Sequence, residues 1–331
     1  MTDSGRPTDH RATGSAPLPA RHAECVVWVA RYMERIENLA RVLDVTKTFA
    51  RGSDDEAWLS LVRINADAER FLERHAAATG QNVACFYVTD RDNPSSIVSQ
   101  LGYARENART LRALISTEMW SQINVFYANV RALTEDDIEP AHLSRLCAML
   151  KESCQTHAGI TQGTFYRDQS WSFYMIGKYL ERADQMTRLV DIKYHTLLPP
   201  MESVGSAIDV SQWNALLRAA GGYQAFRRVH SGGLSPSSVA GFLLLNAGFP
   251  RSVVLGVLQI EWHLTQLRSR FGLHGGASAL ERLDTLRAML TEQSVEQIIE
   301  RGLHEFLDWT QRQLQLLYID IADAFFPRPT E

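Results

Sequence analysis

The stretch RYMERIENLARVLD, residues 31–44, decides the fold class of this chain. At about 100° per residue, its apolar side chains fall on one broad arc, which is typical of a helix with a wide buried face. Glu34, Glu37 and Arg41 lie together at the edge of that arc, whereas Arg35 falls inside it. Because an unpartnered guanidinium in an apolar face is unfavourable by roughly several kcal/mol, we expect Arg35 to reach an acid, a carbonyl, water or an anionic ligand.

A second copy of this pattern, KYLERADQMTRLVD, lies at residues 178–191. The glutamate–arginine pair recurs as Glu181 and Arg182, and the flanking charges recur as Asp184 and Arg188. Arg182 again falls inside the apolar arc, between leucine and methionine side chains. The repeat suggests that the two glutamate–arginine pairs meet each other across a pseudo-twofold axis.

A second match supports the first and follows it in the same order. VACFYVTDRDNPSSI (residues 83–97) aligns with VAGFLLLNAGFPRSV (residues 239–253). Two ordered matches predict a single helical-bundle domain built from two duplicated helical halves, about 20–165 and 166–325. An insertion in the second half, near residues 197–206, accounts for the different spacing of the two matches.

The rest of the chain also predicts helices, because Gly and Pro are sparse and apolar residues recur with helical spacing. The run VACFYV is ambiguous, and no set of alternating strands is present, so the fold class is all-α. The predicted helices are 22–51, 54–79, 95–117, 119–132, 139–162, 168–197, 209–229, 236–246, 250–271, 278–293 and 295–325.

Composition excludes several classes of function. The 331 residues carry a net charge of −4, which gives no general attraction to nucleic acid or to anionic membranes. No apolar run is long enough to span a bilayer, and residues 1–17 read as a disordered tail without the apolar segment of a signal peptide. The four cysteines are scattered and form no CxxC pair, so we expect a reducing, cytoplasmic location.

The charged pairs of the two matching stretches have two interpretations. Glu37 with Arg41 and Asp184 with Arg188 are i,i+4 pairs, each worth about 0.3–0.5 kcal/mol on an exposed helix, and such pairs can be purely structural. Alternatively, the two glutamate–arginine pairs form a ligand or partner site, since the pattern occurs twice.

A further arginine stripe lies in YARENARTLR, residues 103–112. Arg105 and Arg109 share a helix face with Arg112, and like charges so placed repel unless an acid or an anion faces them. The corresponding stretch QIEWHLTQLR keeps only the last arginine. The stripe is either a solvated basic face or a face that binds carboxylate or phosphate.

Established catalytic signatures are missing. The chain has no GxxxxGK[ST], no GxGxxG followed by an acid, no HExxH and no GxSxG, and no ExxH pair supports a di-iron site. We therefore expect no metal and no cofactor, and the catalytic residues, if the chain is an enzyme, stay unassigned.

The stretches HAECVVWVARYMERIENLAR, SSIVSQLGYARENARTLRALISTEMW, RDQSWSFYMIGKYLERADQMTR and FPRSV, taken together, resemble the alpha-E domain family, a bacterial all-helical family named for its ER motif. The resemblance covers the chain from about Leu18 to residue 326. Three motifs of the family correspond to residues of this sequence. The ER motif corresponds to Glu34–Arg35 and to Glu181–Arg182. The ReNAR motif corresponds to Arg105, Glu106, Asn107 and Arg109, and the PRS motif corresponds to Pro250, Arg251 and Ser252.

The resemblance also implies partners. Members of the family are encoded beside, or fused to, a circularly permuted ATP-grasp ligase and a transglutaminase-like peptidase. The implied function is a component of a system that makes or modifies peptide or amide bonds, with an Arg/Glu cluster that holds a carboxylate, a phosphate or the partner. A non-catalytic scaffold that docks the ATP-grasp partner and an independent amidoligase or transferase are the alternatives. A polar pocket walled by Arg105, Arg109, Glu34 and Arg35 would favour ligand binding, whereas closed ion pairs would favour the scaffold.

Overall fold

The computed structural model describes residues 18–49, 55–196, 207–230 and 232–326. Over these ranges the chain forms helices and no β-strand, so the predicted all-α class is confirmed. A π-helical turn at Cys85–Thr89 and a 3-10 turn at Asp136–Ile138 accompany the α-helices. The α-helices are α1 (Ala20–Phe49), α2 (Asp55–Ile64), α3 (Ala68–Leu72), α4 (Gly80–Ala84), α5 (Ile97–Thr110), α6 (Thr117–Arg131), α7 (Leu143–Thr164), α8 (Gln169–Thr196), α9 (Ala207–Ala219), α10 (Tyr223–Val229), α11 (Pro236–Leu245), α12 (Val253–Ser269), α13 (Ala277–Thr291) and α14 (Val295–Phe325).

Two sequence predictions fall outside the described residues. The tail at residues 1–17 is one, and the insertion near residues 197–206 is the other. Within the described ranges, every helix is too short or too polar to span a lipid bilayer.

Helices α1 and α8 lie side by side and run in the same direction. The Leu18 backbone N–H, just before α1, donates to the Gln169 side chain at the start of α8 at 2.9 Å. Farther along, Asn38 Nδ2 donates to Gln185 Oε1 at 2.7 Å. Because the two contacts advance together along both helices, the pair is parallel, and the corresponding residues of the two ER stretches face one another.

A glycine permits this close packing. A β-carbon built on Gly177 in α8 would lie 2.5 Å from the carbonyl oxygen of Val27 in α1, a separation that real side chains do not tolerate. The backbones of α1 and α8 therefore touch just before their ER stretches, which brings the charged side chains within reach of each other.

The other helices surround this pair. Helices α5 and α7 pack against α1, and α12 and α14 pack against α8. Helix α2 packs against α8, whereas α9 packs against α1, so each short helix reaches across to the long helix of the other half. The shared ancestry of the two halves stays a prediction.

Three helices that the sequence predicts as continuous are interrupted, and those predictions are wrong. The predicted helix 54–79 breaks at Ala66 (φ 57°), and the predicted helix 209–229 breaks at Gly221 (φ 69°). The predicted helix 295–325, α14, is kinked at Gly302 (φ 112°). A residue with positive φ cannot continue a right-handed helix, so the chain changes direction at all three places. A single such residue does not remove the apolar pattern on either side, and this is why the pattern alone suggests single helices.

The ambiguous run VACFYV is helical. It forms the end of α4 and the π-helical turn that follows, and the Thr79 side chain accepts the Asn82 N–H at the start of α4. Phe86, Tyr87 and Val88 are all buried. A short run that is buried on several sides carries no periodicity that separates helix from strand.

Candidate functional site

The glutamate–arginine pairs of α1 and α8 bind each other reciprocally. Arg182 Nη2 donates to Glu34 Oε1 at 2.6 Å, and Arg35 Nε donates to Glu181 Oε1 at 2.5 Å. Glu34 is 7% exposed and Glu181 0%, so each carboxylate is removed from water and pairs with an arginine of the other helix. The expectation that both arginines reach an acid, a carbonyl, water or an anionic ligand is confirmed, and the partner is an acid in each case.

One side of the α1–α8 pair, which we call the closed face, consists of Glu34, Glu37, Arg41, Arg182 and Arg251. Arg251, from the loop before α12, contacts Glu37 Oε1 through Nη2 at 2.5 Å and lies 3.7 Å from Glu34 Oε2 through Nη1. Arg41 donates to the same Glu37 oxygen at 2.7 Å and to a backbone carbonyl at the end of α9. All five side chains are 16% exposed or less, so ion pairs fill this face.

The arginines of the closed face control the ionisation of Glu37. Burial alone would raise the pKa of this carboxyl, but Arg251 and Arg41 outweigh burial and lower the pKa to about 2. Glu37 is therefore a stable anion at neutral pH, and the closed face holds three cations against two anions.

The other side of the pair, which we call the open face, consists of Arg35, Glu181, Asp184 and Arg188 and borders a cavity of about 420 Å³. Arg188 Nε donates to Asp184 Oδ2 at 2.9 Å, and its Nη1 donates to a carbonyl at the end of α2 at 3.1 Å. These contacts repeat those of Arg41 on the closed face. The side chains of Arg35 and Arg188 are 31% and 29% exposed, so both arginines keep part of their surface available.

The carboxyl of Asp184 differs from its counterpart Glu37 in its acidity. Burial raises the pKa of Asp184, and Arg188 opposes this rise without cancelling it. Glu37 has two arginine partners within hydrogen-bond distance, whereas the Asp184 carboxylate hydrogen-bonds to Arg188 alone among the described residues. A further arginine on this side, Arg31, donates to Glu181 Oε2 at 2.8 Å and not to Asp184.

One loop residue accounts for the difference between the faces. The loops before α5 and α12 read Pro-Ser-Ser (residues 94–96) and Pro-Arg-Ser (residues 250–252). Their last serines cap the two helices in the same way, each accepting an N–H three residues on. Ser95 therefore stands where the other loop has Arg251, and its short side chain leaves the cavity unfilled.

The cavity has an aromatic wall and a polar wall. Trp28, Tyr32 and Tyr103 form the first, with ring centroids 5.3 Å and 5.7 Å apart along the series. Asp67 and Gln100 belong to the second. Burial raises the pKa of Asp67, although a tyrosine, a serine and an arginine contact it. This mixture suits a small ligand with both an apolar part and charged groups.

The residues predicted from YARENARTLR lie outside this cavity. Arg105 Nε donates to Asn124 Oδ1 at 2.7 Å, while Arg109 is 70% exposed and pairs with Glu106 at 2.7 Å. Glu106, Asn107 and Arg109 border a separate depression of about 400 Å³, which shares its Trp28 and Tyr32 wall with the cavity. A single pocket uniting Arg105, Arg109, Glu34 and Arg35 is not formed, because of these four only Arg35 borders the cavity.

Sequence reasoning did not place Ser95, Asp67 or Gln100 at the site, and it noted Arg251 only as part of a motif. The two aligned stretches already matched Ser95 with Arg251. A charged residue opposite a small neutral one, in otherwise similar loops, was the available signal. Asp67 and Gln100 gave no signal, because single polar residues in helical sequence are usually solvated.

Two groups of side chains away from the cavity have ligand atoms close enough to share a metal ion. Within each group these atoms lie within 4.8 Å of one another, and the groups are Asp191, His304 and Asp308, and Asp136, Glu139 and His142. The first group joins α8 to α14 through a 2.9 Å contact between Asp191 and His304. Neither group borders the cavity, so neither belongs to the candidate site.

Comparison with known proteins gives a family match and distant relatives. The family model Alpha-E, described as "a predicted alpha-helical domain with a conserved ER motif", matches residues 18–326. An uncharacterized protein of Mycobacterium bovis and uncharacterized proteins from two strains of Mycobacterium tuberculosis are each 24% identical to the chain over 322 residues. These matches cover 90% of this chain but 35% of each relative, so the chain spans about a third of their length. No solved structure matches the chain.

Proposed function

The chain belongs to the Alpha-E family, and from that premise we propose that it is a component of an ATP-grasp-linked system that makes or modifies peptide or amide bonds. In this proposal the open face binds a carboxylate or phosphate group of the substrate or of the partner protein. The partner is a circularly permuted ATP-grasp protein, joined in some systems by a transglutaminase-like peptidase, and the assembly works in the cytoplasm.

The state of the Arg35 side chain carries the proposal. Arg35 bonds to Glu181 through Nε, and its two terminal nitrogens make no hydrogen bond to any described residue. The Arg35 side chain is 31% exposed and borders the cavity. Because a guanidinium donates two parallel hydrogen bonds to a carboxylate or phosphate, this free edge suits an anionic group.

The size of the cavity and the length of the relatives support the same proposal. A volume of about 420 Å³ lies within the range of about 300–1,000 Å³ that is usual for small-molecule sites. The match covers 35% of each mycobacterial relative, so in those proteins the region similar to this chain is joined to further sequence. This arrangement fits a helical unit that acts together with other domains.

Co-purification tests the partnership. The chain and the ATP-grasp protein encoded beside it are expressed together, and ATP turnover of the partner is measured with and without the chain. We expect a stable complex and a turnover that depends on the chain. Separate elution together with unchanged turnover would refute the proposed system.

A matched pair of variants tests the role of the open face. Arg35→Lys keeps the charge beside Glu181 but removes the second edge that binds an anion, whereas Arg182→Lys makes the same change on the closed face. We expect Arg35→Lys to weaken the complex or raise the KM of the assembled system at least about fivefold (about 1 kcal/mol). Arg182→Lys is expected to leave both quantities within about twofold. Equal effects of the two variants would assign the pairs to structure alone.

The closed face supports a second candidate, a non-catalytic scaffold. Its five charged side chains satisfy one another and are nearly buried, as expected of residues that hold a bundle together. In a scaffold the chain stimulates or positions its partner without binding substrate itself. Normal co-purification combined with wild-type kinetics of the Arg35→Lys complex would favour this candidate.

A further inference from the structure

We propose that the cavity of the open face binds an alkylguanidinium group, in the place that corresponds to the Arg251 side chain on the closed face. The ligand is free arginine or an arginine residue of a peptide. This inference deepens the proposed function and rests on it in one respect, namely that the cavity is a binding site. The proposed function assigns an anionic group to the Arg35 side chain, and this inference assigns a second, cationic group to the same cavity.

The equivalence of the two loops is the first step. Asp92 N–H donates to Asp90 Oδ1 at 2.9 Å in one loop, and Gly248 N–H donates to Asn246 Oδ1 at 2.9 Å in the other. Later in each loop, the serine that caps the next helix donates its N–H to the carbonyl three residues before, at 3.0 Å in both cases. The loops therefore have the same course, and Ser95 occupies the position of Arg251.

The charges around the two positions are the second step. On the closed face, the Arg251 guanidinium lies against two carboxylates, Glu34 and Glu37. The open face presents the corresponding carboxylates, Glu181 and Asp184, to a cavity instead.

A third carboxylate borders this cavity. Asp67 borders it and directly follows the break at Ala66. At the corresponding break in the other half, Gly221 is followed by Gly222.

When ionised, the side chains that border the cavity comprise three carboxylates and two guanidiniums. Two arginines outside the lining also pair with these carboxylates, Arg31 with Glu181 at 2.8 Å and Arg70 with Asp67 at 2.7 Å. The open face therefore lacks a cation only in the position that Arg251 takes on the closed face, next to Asp184.

A buried acceptor without a donor is the third and independent step. Gln100 is 5% exposed and borders the cavity. Its Nε2 donates to the Ser95 carbonyl, but its Oε1 has no hydrogen-bond partner among the described residues. An unsatisfied buried acceptor costs about 1–3 kcal/mol, so this oxygen is suited to receive an N–H from a ligand.

The shape of the ligand group follows from these partners. A guanidinium offers five N–H donors in a plane, enough for two carboxylates and the Gln100 oxygen together, whereas an ammonium offers three. The flat cation also stacks on aromatic rings, and Trp28, Tyr32 and Tyr103 border the cavity. A guanidinium is therefore preferred over an ammonium.

Titration calorimetry on the full chain tests the inference with four probes. L-Arginine and the capped peptide acetyl-Gly-Arg-Gly-amide carry the guanidinium, L-citrulline is the neutral isostere of arginine, and L-lysine carries an ammonium. We expect one or both arginine probes to bind at least about tenfold more tightly than citrulline or lysine. Tighter binding of the capped peptide identifies a peptide as the source, and tighter binding of L-arginine identifies the free amino acid.

Variants at Ser95 show whether the binding lies in this cavity. Ser95→Arg supplies the missing cation from within, so we expect it to abolish binding of the arginine probes and to raise the Tm. Ser95→Met is the matched control, because it adds similar length without charge and should not raise the Tm. If Ser95→Arg does not fold, Asp184→Asn serves instead and should weaken arginine binding at least about tenfold.

Several results would overturn the inference. They are absence of binding by both arginine probes at millimolar concentration, equal binding of arginine and citrulline, equal binding of lysine, and unchanged binding by a folded Ser95→Arg variant. Co-purification with the ATP-grasp protein separates this failure from failure of the proposed function. A complex without arginine binding refutes the guanidinium site alone, whereas arginine binding without a complex refutes the proposed system.

Discussion

Arg182 on α8 holds Glu34 on α1 through two hydrogen bonds, 3.0 Å from Nε to Oε2 and 2.6 Å from Nη2 to Oε1. The mirror contact, from Arg35 to Glu181, uses Nε and leaves the terminal nitrogens free. The two ER motifs are therefore alike in sequence but differ in the hydrogen bonds that their arginines make. One is a two-bond ion pair inside the bundle, and the other leaves the terminal nitrogens of Arg35 beside the cavity.

The paired state of Glu34 predicts a large effect of removing its partner. Arg182→Ala leaves a buried carboxylate with only the more distant Arg251, so we expect a loss of about 3 kcal/mol in the free energy of unfolding. Urea denaturation followed by circular dichroism measures this loss. Replacing both partners, as Glu34→Gln with Arg182→Met, should recover much of it, and a double variant less stable than Arg182→Ala would contradict this account.

The close packing of α1 and α8 predicts that Gly177 tolerates no side chain. Gly177→Ala places a methyl group 2.5 Å from the Val27 carbonyl oxygen, and we expect a loss of about 2–3 kcal/mol because the helices must separate. Gly159, inside α7, is the matched control, since its β-carbon would meet nothing within 4 Å. Gly159→Ala should stabilise the chain by about 0.5–1 kcal/mol. Equal thermal shifts of the two variants would show that the helices are not in contact at Gly177.

The low pKa of Glu37 predicts how stability depends on acid. In the folded chain this pKa is about 2, below its ordinary value of 4.5, so the unfolded chain binds the proton first as the pH falls. The contribution of the Glu37 anion to the free energy of unfolding is complete above about pH 4.5 and is lost as the pH falls towards 2. Thermal unfolding between pH 6 and pH 2 measures it.

Arg251→Ser provides the matched change for this pH profile. Without Arg251, burial raises the pKa of Glu37 with less opposition. The folded and unfolded pKa values then lie closer together, so the fall in Tm between about pH 4.5 and pH 2 should be smaller than in the unsubstituted chain. A profile that does not move would show that Arg251 does not stabilise the Glu37 anion.

The exposure of Arg109 predicts a separation between stability and binding. Its side chain is 70% exposed, and its partner Glu106 is 51% exposed, so Arg109→Ala should change the free energy of unfolding by less than about 0.5 kcal/mol. If the depression beside Trp28 and Tyr32 contacts the proposed ATP-grasp partner, the same variant weakens co-purification with that protein. A drop in Tm as large as that of Arg182→Ala would exclude a binding role for Arg109.

The sequence predicted the long helices and the pairing of their charges, because both depend on local spacing. Apolar periodicity marks α1 and α8, and the i,i+4 positions of Glu37 with Arg41 and of Asp184 with Arg188 place those partners on one helix face. The breaks at Ala66 and Gly221 and the kink at Gly302 escaped prediction, since a single positive φ does not interrupt the apolar pattern.

By itself, then, the sequence determined the helical class, the two ER stretches and the need of Arg35 and Arg182 for negative partners, because periodicity and the cost of burying a charge act within one helix. Only the tertiary structure decided which partner each arginine takes and which face stays open. That outcome depends on parallel packing of two distant helices and on the side chain that each loop delivers between them. Arg251 fills one face, whereas Ser95 leaves the other unfilled, and no local pattern carries that information.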